Sequence, residues 1–223
     1  MNVKLVSYTQ VVDDLKEAGI DGIEGLIAYC ARVSNPANQM NVKTSRKLIK
    51  FLMAHRHWSP FELADITLEI ETTRDIARQM LRHRSFSFQE FSQRYANVAE
   101  FGTEAFEFCE PRLQDKKNRQ NSVVTNDPVL SAQWDVRQKY VASEALKAYE
   151  WAIDAGIAKE VARKLLPEGL TKSRLFMKGS VRSWIHYLEV RGEGSGTQLE
   201  HMQVAEKIAE AITAIFNING LKK

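Results

Sequence analysis

The clearest pattern along the chain is a strict alternation of apolar and polar residues over positions 64–72. Ile66, Leu68 and Ile70 are separated by single threonine or glutamate residues. Successive side chains of a strand point to opposite faces, so this period of two predicts a half-buried β-strand. A shorter strand is predicted over residues 3–8, where β-branched residues are bounded by polar ones. Residues 85–89 alternate in the same way and are predicted to be extended, and 175–177 is predicted as a short strand.

A period near 3.6 residues predicts most of the remaining chain as helices. These are expected over residues 24–33, 44–54, 74–82, 129–155, 159–166, 180–190 and 198–216. In the second helix the apolar face is supplied by Leu48, Phe51 and Leu52. In the long fourth helix that face includes Trp134 and Val141.

Residues 110–128 form the longest polar stretch of the sequence. They contain Pro111 and Pro128 near the two ends, which is typical of a surface loop. No internal repeat and no linker divides the chain. We therefore expect a single α+β domain over residues 1–223, in which a small mixed or antiparallel sheet is packed by several helices.

Composition and charge narrow the classes of function. A net charge of +3 is too small for nucleic-acid or membrane binding through the overall field, so an electropositive function requires local clustering. Cys30 and Cys109 lie far apart and form no CxxC motif, which favours a reducing compartment. The N-terminus does not resemble a signal peptide, and no apolar run approaches the ~20 residues of a membrane span. We expect a cytoplasmic protein that binds neither nucleic acid nor membrane.

Two motifs that suggest other chemistry are weak. Gly192, Gly194 and Gly196 have the wrong spacing for a GxGxxG nucleotide-binding turn and do not follow a predicted strand. His55 and His57 lack a third ligand, so no metal site is expected.

Positive charge and aromatic surface coincide in RHRSFSFQEFSQRY, residues 82–95. Arg82, His83, Arg84 and Arg94 fall within thirteen residues, and Glu90 is the only acid among them. The phenylalanines should draw this segment against a core, and unpaired buried cations are costly. Either acids elsewhere neutralise the cations or an anionic ligand completes the site. Residues 57–101 contain no glycine, so a phosphate there must be held by side chains, a task that suits arginine.

The spacing of this segment closely resembles the signature RHRxxSxNxxSxRY of the flavin-dependent thymidylate synthases. The resemblance continues in ARVS at residues 31–34, in HWSPFE at 57–62 against the family's HxS/TPFE, and in VARKLLP at 161–167 against VARxxLP. Arg191 and Gln198 match an arginine and a glutamine that follow the family's penultimate helix. The match therefore spans most of the chain.

The resemblance implies the activity of that family, the conversion of dUMP to dTMP. In the family, 5,10-methylenetetrahydrofolate supplies the methylene group and NADPH supplies the hydride through FAD, without a cysteine nucleophile. Its members have an α+β fold and are homotetramers whose active sites collect residues from several subunits. Flat, anionic ligands of this kind suit arginine, histidine and aromatic side chains.

Carried over residue by residue, the resemblance implies two sets of ligand contacts. FAD would be contacted by Ser59, Arg82, His83, Arg84, Glu90, Ser180, Arg182 and His186. The nucleotide would be contacted by Gln79, Arg82, Glu90, Ser92, Gln93, Arg94, Arg163 and Arg191. Arg191 would also be catalytic, because the matching arginine favours ionisation at N3 of the uracil. The sequence departs from the family at Gln89, which replaces an asparagine, at Leu63, which replaces a frequent histidine, and at His186, where other members can have asparagine.

Two other functions are compatible with the residue types alone. An RNA- or single-strand-binding module can also interleave arginine and phenylalanine, although the small total charge counts against it. A regulator that keeps an FAD site but does not catalyse is the second alternative. The presence of Ser92, Arg163 and Arg191 favours the active enzyme.

Overall fold

The computed structural model describes residues 1–217, and its centre is a four-stranded antiparallel sheet. In chain order the elements are β1 (Asn2–Tyr8), α1 (Asp13–Glu17), α2 (Gly22–Ala31), α3 (Ser45–Ala54), β2 (Asp65–Thr73), α4 (Arg74–Met80), β3 (Ser87–Glu90), β4 (Arg112–Gln114), β5 (Ser122–Val124), α5 (Pro128–Asp154), α6 (Lys159–Ala162), β6 (Lys172–Ser180), α7 (Val181–Arg191) and α8 (Leu199–Thr213). Short 3-10 turns lie at Pro36–Asn38, Val42–Thr44, Ser59–Leu63, Val98–Ala105 and Arg163–Leu165. The strand order in the main sheet is β1-β2-β6-β3. Helices pack against this sheet, which confirms the expected α+β class.

β2 has the clearest sequence pattern and lies in the interior of the sheet. Ile66, Leu68 and Ile70 are fully buried in the main core, as the alternation predicts. Leu68 lies opposite Met177 of β6, and the indole Nε1 of Trp184 donates to the backbone oxygen of Ile66 at 3.1 Å. The strand is thus paired on both edges and covered by α7.

β6 is three times as long as the strand predicted over 175–177. Its buried face consists of Ser173, Leu175, Met177 and Gly179. Only the middle two of these residues are large and apolar, so the alternation is visible in the sequence for just the centre of the strand. Pairing with β2 along its whole length extends the strand in both directions.

Helix α3 begins and ends close to its predicted bounds but buries a different face. Ile49 and Leu52 are buried, whereas Phe51 is 49% exposed, so the prediction of Phe51 as a core residue is wrong. The centre of the Phe51 ring instead lies 4.0 Å from the centre of the His55 ring. Apolar residues at 48, 49, 51 and 52 are compatible with two overlapping faces, and tertiary packing selects between them.

The long helix α5 packs on a second, smaller apolar cluster outside the main core. Its buried residues include Ala142, Leu146 and Tyr149, which meet the Val98–Ala105 turn and α6. Trp134 and Val141 were expected on this face and are exposed instead. Alanines on several sides of the helix leave the apolar spacing ambiguous.

The polar stretch 110–128 contains a small hairpin where only a surface loop was expected. β4 and β5 pair with Arg112 opposite Val124. Leu113 and Val124 are exposed on this hairpin.

The described range covers all of the expected domain except its end. Residues 218–223 lie outside it. Within residues 1–217, no helix has the length and apolar character needed to cross a membrane.

Candidate active site

The basic stretch begins in a tight turn between α4 and β3. The backbone N–H of His83 donates to the oxygen of Met80 at 3.0 Å, and that of Phe86 donates to the oxygen of His83 at 3.2 Å. Arg82 and Arg84 are exposed on this turn. Within residues 1–217 neither guanidinium has a hydrogen-bond or salt-bridge partner, whereas both arginines of α4 have an acidic one. Two cations are therefore available for an anionic ligand.

Phe86 anchors the turn to the core. Its buried ring lies 4.7 Å from the ring of Trp184 in an edge-to-face arrangement. Directly beneath it, a Cβ on Gly179 would lie 2.5 Å from the ring carbon Cδ1, so glycine is what lets the ring rest on β6. Phe88 is half-buried. Phe86 and Phe88 thus serve packing, whereas Arg82 and Arg84 remain at the surface.

His83 connects the turn to the end of α7. The Nε of Arg191 donates to Nε2 of His83 at 3.1 Å. Burial, together with the nearby charges of Arg191 and His186, lowers the pKa of His83 to about 4. His83 is therefore neutral near pH 7, with Nε2 as an acceptor. Among residues 1–217 the Nη groups of Arg191 have no hydrogen-bond or salt-bridge partner and can take another one.

Behind His83, a series of polar side chains links α7, α8 and α4. The centre of the Tyr187 ring lies 4.8 Å from the centre of the His83 ring. The Tyr187 hydroxyl lies 2.8 Å from Nε2 of His201. The Nδ1 of His201 lies 3.1 Å from Oε1 of Gln79. His201 is fully buried, and burial together with the charge of Arg191 lowers its pKa to about 3. It is a neutral, doubly hydrogen-bonded core residue.

The series continues outward from Gln79 to the hairpin. Gln79 donates from Nε2 to Oε1 of Gln198 at 2.8 Å, and Gln198 donates from Nε2 to Oε2 of Glu200 at 3.0 Å. The Nη2 of Arg112 donates to Oε1 of Glu200 at 2.5 Å. Burial acts to raise the pKa of Glu200, but hydrogen bonds from Arg112 and Gln198 hold it below its usual range. The network therefore ends in a paired carboxylate.

A cationic cavity of about 340 Å³ lies beside α4. Its lining residues are Arg74, Arg78, Gln93, Arg163, Lys164, Leu166 and Glu168. Gln93 is 3% exposed, and its buried Nε2 finds no hydrogen-bond partner within the described residues 1–217. Burial lowers the pKa of Arg74; Glu90 opposes this shift, and the charges of Arg78 and Arg163 add to it. An excess of positive charge and an unpartnered buried donor both favour binding of an oxyanion.

A second cavity of similar size is lined by the end of β3 and the segment that follows it. Glu90, Ser92 and Arg174 are among its lining residues. Glu90 accepts from the hydroxyl of Ser173 at 2.7 Å and lies 3.6 Å from Nη1 of Arg74. Its carboxylate is thus held in place between β3, β6 and α4.

Arg94 lies apart from the other cations of the stretch. Its Nε is 3.4 Å from Oε2 of Glu160 on α6, and its guanidinium lies 5.9 Å from the centre of the Tyr95 ring. This salt bridge is exposed on both sides, so it contributes little energy and can exchange for a ligand.

The HWSPFE segment is tied to the start of α7 through Glu62. Its Oε2 accepts from the hydroxyl of Ser180 at 2.5 Å, and its Oε1 accepts from Nη1 of Arg182 at 2.7 Å. Ser180 also caps α7 by accepting from the backbone N–H of Ser183 at 3.2 Å. The Ser180 hydroxyl is therefore fully engaged within the protein. Ser59 lies in the HWSPFE segment and His186 lies in α7. Both residues are exposed.

The described residues favour neither a metal site nor a cysteine nucleophile. Within residues 1–217 no group of three histidine, cysteine or acidic side chains could hold a metal ion. The Nδ1 of His55 lies 2.9 Å from the backbone oxygen of Phe51, at the end of α3. Burial raises the pKa of both Cys30 and Cys109, so neither thiol is activated as a nucleophile.

The structure brings the expected site residues together in separate groups. Gln93 and Arg163 share the cationic cavity, Glu90 and Ser92 share the second cavity, and His83 contacts Arg191. Three further groups stand apart: Gln79 in the buried network, Ser180 with Arg182 at Glu62, and the free cations Arg82 and Arg84. The lining of the cationic cavity includes neither His83 nor Arg191.

Several residues of these groups were not found from the sequence. Arg74 and Arg78 line the cationic cavity, and their i, i+4 spacing on one helix face is the signal that could have found them. His201 has no such signal, because its partners come from α4 and α7 and meet it only in the folded chain.

Comparison with known proteins places these features in one family. The model of the thymidylate synthase complementing protein family matches residues 15–216. The flavin-dependent thymidylate synthase of Synechocystis is 50% identical over 209 residues, which cover 92% of this chain and 91% of the relative. A probable flavin-dependent thymidylate synthase of Paramecium bursaria Chlorella virus 1 is 46% identical over 210 residues, covering 94% and 93%.

The chain also has the fold of solved structures of a nucleotide methylase. The crystal structure of a UMP/dUMP methylase from Streptomyces cacaoi bound with 5-Br dUMP superposes with a TM-score of 0.80 at 28% identity, covering 98% of this chain and 92% of that one. The same enzyme bound with 5-Br UMP gives a TM-score of 0.81 at 27% identity. With its signature segment, its fold and its relatives in agreement, the chain belongs to the family of flavin-dependent thymidylate synthases.

Proposed function

We propose that the chain methylates dUMP to dTMP at a site built from the residues that its family signature identifies. FAD is the cofactor of this family, and 5,10-methylenetetrahydrofolate and NADPH are its co-substrates. The observation that carries the proposal is the cationic cavity in which Gln93 and Arg163 meet Arg74 and Arg78. A nucleotide phosphate offers acceptors both to the guanidinium forks and to the unpartnered Gln93 Nε2.

The remaining proposed nucleotide ligands lie outside the lining of this cavity and would approach the nucleotide from neighbouring elements. Glu90 and Ser92 line the second cavity, and Arg94 would contact the nucleotide after releasing Glu160. Gln79 and Arg82 would approach the nucleotide from the end of α4. The methylase from Streptomyces cacaoi, whose structure is so similar, holds a brominated uridine nucleotide, which supports a pyrimidine nucleotide as the ligand here.

The residues proposed for FAD fit such a ligand. Arg82 and Arg84 are exposed guanidiniums without protein partners and suit a pyrophosphate, while neutral His83 offers a flat ring face. Ser59, Arg182 and His186 would complete the contacts, with Glu90 from β3. Since the Ser180 hydroxyl is engaged with Glu62, Ser180 would act through its backbone and by holding Glu62, which in turn binds Arg182. When bound, FAD would accept the hydride from NADPH and pass it on in the reaction.

Arg191 is proposed as the catalytic residue. Its Nε is held by His83, so its Nη groups can face the pyrimidine ring. A fixed guanidinium there stabilises negative charge that develops on the uracil at N3, an effect worth about 3 kcal/mol in comparable sites. The raised pKa values of Cys30 and Cys109 support a route without a cysteine nucleophile.

We further propose that the groups combine in a homotetramer. Arg191 with His83 and the cationic cavity form separate groups within one chain, and a neighbouring subunit can bring complementary groups together. Val136, Tyr140 and Trp151 are exposed on α5 and offer apolar surface for such contacts. Residues 1–223 would act as a single domain of this assembly. Two free cysteines support a cytoplasmic location.

The buried position of Phe86 counts against a nucleic-acid-binding module. Base stacking requires exposed rings, and Phe86 packs on Trp184 while Phe88 is half-buried.

The absorption spectrum of the purified protein tests the proposal most directly. We expect a yellow protein whose NADPH oxidation accelerates with dUMP and which forms dTMP once methylenetetrahydrofolate is added. A colourless protein that cannot be reconstituted with FAD would overturn the proposal.

A further inference from the structure

The hydrogen-bond network that joins Tyr187, His201, Gln79, Gln198 and Glu200 has a single possible direction of donation. Glu200 is a carboxylate and can only accept, so Gln198 must present its Nε2 to it and its Oε1 to Gln79. Gln79 therefore donates from Nε2 and accepts at Oε1. These constraints require His201 to carry its proton on Nδ1, which donates to Gln79, and to accept from the Tyr187 hydroxyl at Nε2.

The same constraints fix the carboxamide of Gln79. A freely rotating carboxamide can exchange its oxygen and nitrogen by turning about its last torsion, since the two ends have nearly the same shape. Here both ends are held, at 3.1 Å by His201 and at 2.8 Å by Gln198. One Nε2 hydrogen and one Oε1 lone pair remain for a ligand, and Gln79 is partly exposed. The network thus presents a donor and an acceptor in a fixed order.

We propose that His201 is a positioning residue for the reaction, which holds the Gln79 carboxamide in the orientation that binds the nucleotide. This rests on the proposed function, in which Gln79 contacts dUMP. The anchor at the other end is the Arg112–Glu200 pair, which ties the 110–128 segment to the same carboxamide. His201 touches no ligand itself and acts only through Gln79.

Two conservative variants separate positioning from simple packing. Asparagine places its side-chain nitrogen where Nδ1 of histidine lies, so His201→Asn can keep the bond to Gln79 and lose the one to Tyr187. Glutamine can place its side-chain oxygen at the position of Nε2, so His201→Gln can still accept from the Tyr187 hydroxyl and loses the bond to Gln79. A packing role predicts that the smaller asparagine is the more harmful change.

The experiment measures dUMP binding by calorimetry and the KM for dUMP, both with the FAD-loaded enzyme. We expect His201→Gln to raise the dissociation constant and KM for dUMP about tenfold, the worth of one orienting hydrogen bond, with kcat and flavin content little changed. His201→Asn should remain within about twofold of wild type, a difference well below one hydrogen bond. Gln198→Leu is an exposed change at the other side of Gln79 and should resemble His201→Gln even if the buried variants fail to fold. Ile208→Ala, a core change two turns along α8, controls for loss of stability alone.

The outcomes distinguish this inference from the proposed function. If wild type binds dUMP and forms dTMP but Gln198→Leu and His201→Gln bind dUMP as wild type does, the positioning role is wrong and the proposed function stands. Equal losses in His201→Asn and His201→Gln, matched by Ile208→Ala, would reduce His201 to a packing residue. If wild type neither binds dUMP nor forms dTMP, both proposals fail.

Discussion

Arg191 donates from Nε to Nε2 of His83 across 3.1 Å, and this contact joins the last residue of α7 to the turn that carries Arg82 and Arg84. The bond requires a neutral His83, and the charge of Arg191 helps to keep it neutral. The proposed catalytic cation and the proposed flavin-binding turn therefore hold each other in place. A substitution of either residue is therefore expected to alter the position of the other.

Replacement of Arg191 by alanine tests its catalytic role. We expect Arg191→Ala to retain FAD and to lower the rate of dTMP formation by about 100-fold, because the charge facing the uracil is lost. Steady-state assays with flavin content measured in the same samples check this. The pKa of His83, followed by NMR, should rise from its low value once the neighbouring charge is removed. Unchanged turnover would remove Arg191 from the mechanism.

Gln93 offers a test of the cationic cavity that separates stability from binding. Gln93→Leu removes a buried donor that has no partner, so the free protein should become more stable, by about 1 kcal/mol. The same change should weaken dUMP binding, because the donor for the phosphate is lost. Thermal unfolding with and without dUMP measures both effects. Lys147→Ala, on the exposed face of α5, is the control and should alter neither. Unchanged dUMP affinity in Gln93→Leu would place the phosphate elsewhere.

Stability is expected to depend on pH through the buried histidines. His83 and His201 have folded pKa values of about 4 and 3 against 6.5 for an ordinary histidine, so the unfolded chain binds more protons below about pH 6.5. The free energy of unfolding should therefore fall as the pH drops from 6.5 towards 4, and should be independent of these groups above 6.5. Denaturant titrations at several pH values measure this slope. His201→Asn should make it shallower; the same slope in both proteins would contradict the assignment.

The contact between Gly179 and Phe86 predicts a large effect from a single methyl group. Gly179→Ala would force the Phe86 ring to move, because the added carbon would lie 2.5 Å from it. We expect a loss of about 2 kcal/mol of stability and weaker retention of FAD, since the ring anchors the turn with Arg82 and Arg84. Gly169→Ala is the matched control, because a Cβ there meets no atom within 4 Å. Similar melting temperatures and flavin contents for the two variants would refute this account.

Much of the fold followed from the periodicity of the sequence. The alternation at Ile66, Leu68 and Ile70 identified β2, and helices were predicted close to their observed bounds. Errors arose where packing had to choose between faces, as at Phe51, or where small and polar residues occupy a buried strand face, as in β6. Which face is buried depends on contacts with residues that are distant in sequence, and local periodicity carries no information about those contacts.

The candidate site was predictable to the extent that its residues lie in motifs. The spacing of the 82–95 segment and the matching Arg163 and Arg191 came from the sequence. The cavity formed with Arg74 and the hydrogen bonds of His201 did not, since they join elements that meet only in the folded chain.

The free guanidiniums of Arg82 and Arg84 also bear on how long the protein survives without its cofactor. Two like charges separated by one residue repel each other, and an anionic ligand that neutralises them stabilises the folded state by an amount that rises with the logarithm of the free ligand concentration. At a free ligand concentration 100 times the dissociation constant, this amounts to about 2.7 kcal/mol. Supply of FAD would thus govern the amount of intact enzyme in a cell as well as its activity, with the unloaded chain the first to be degraded.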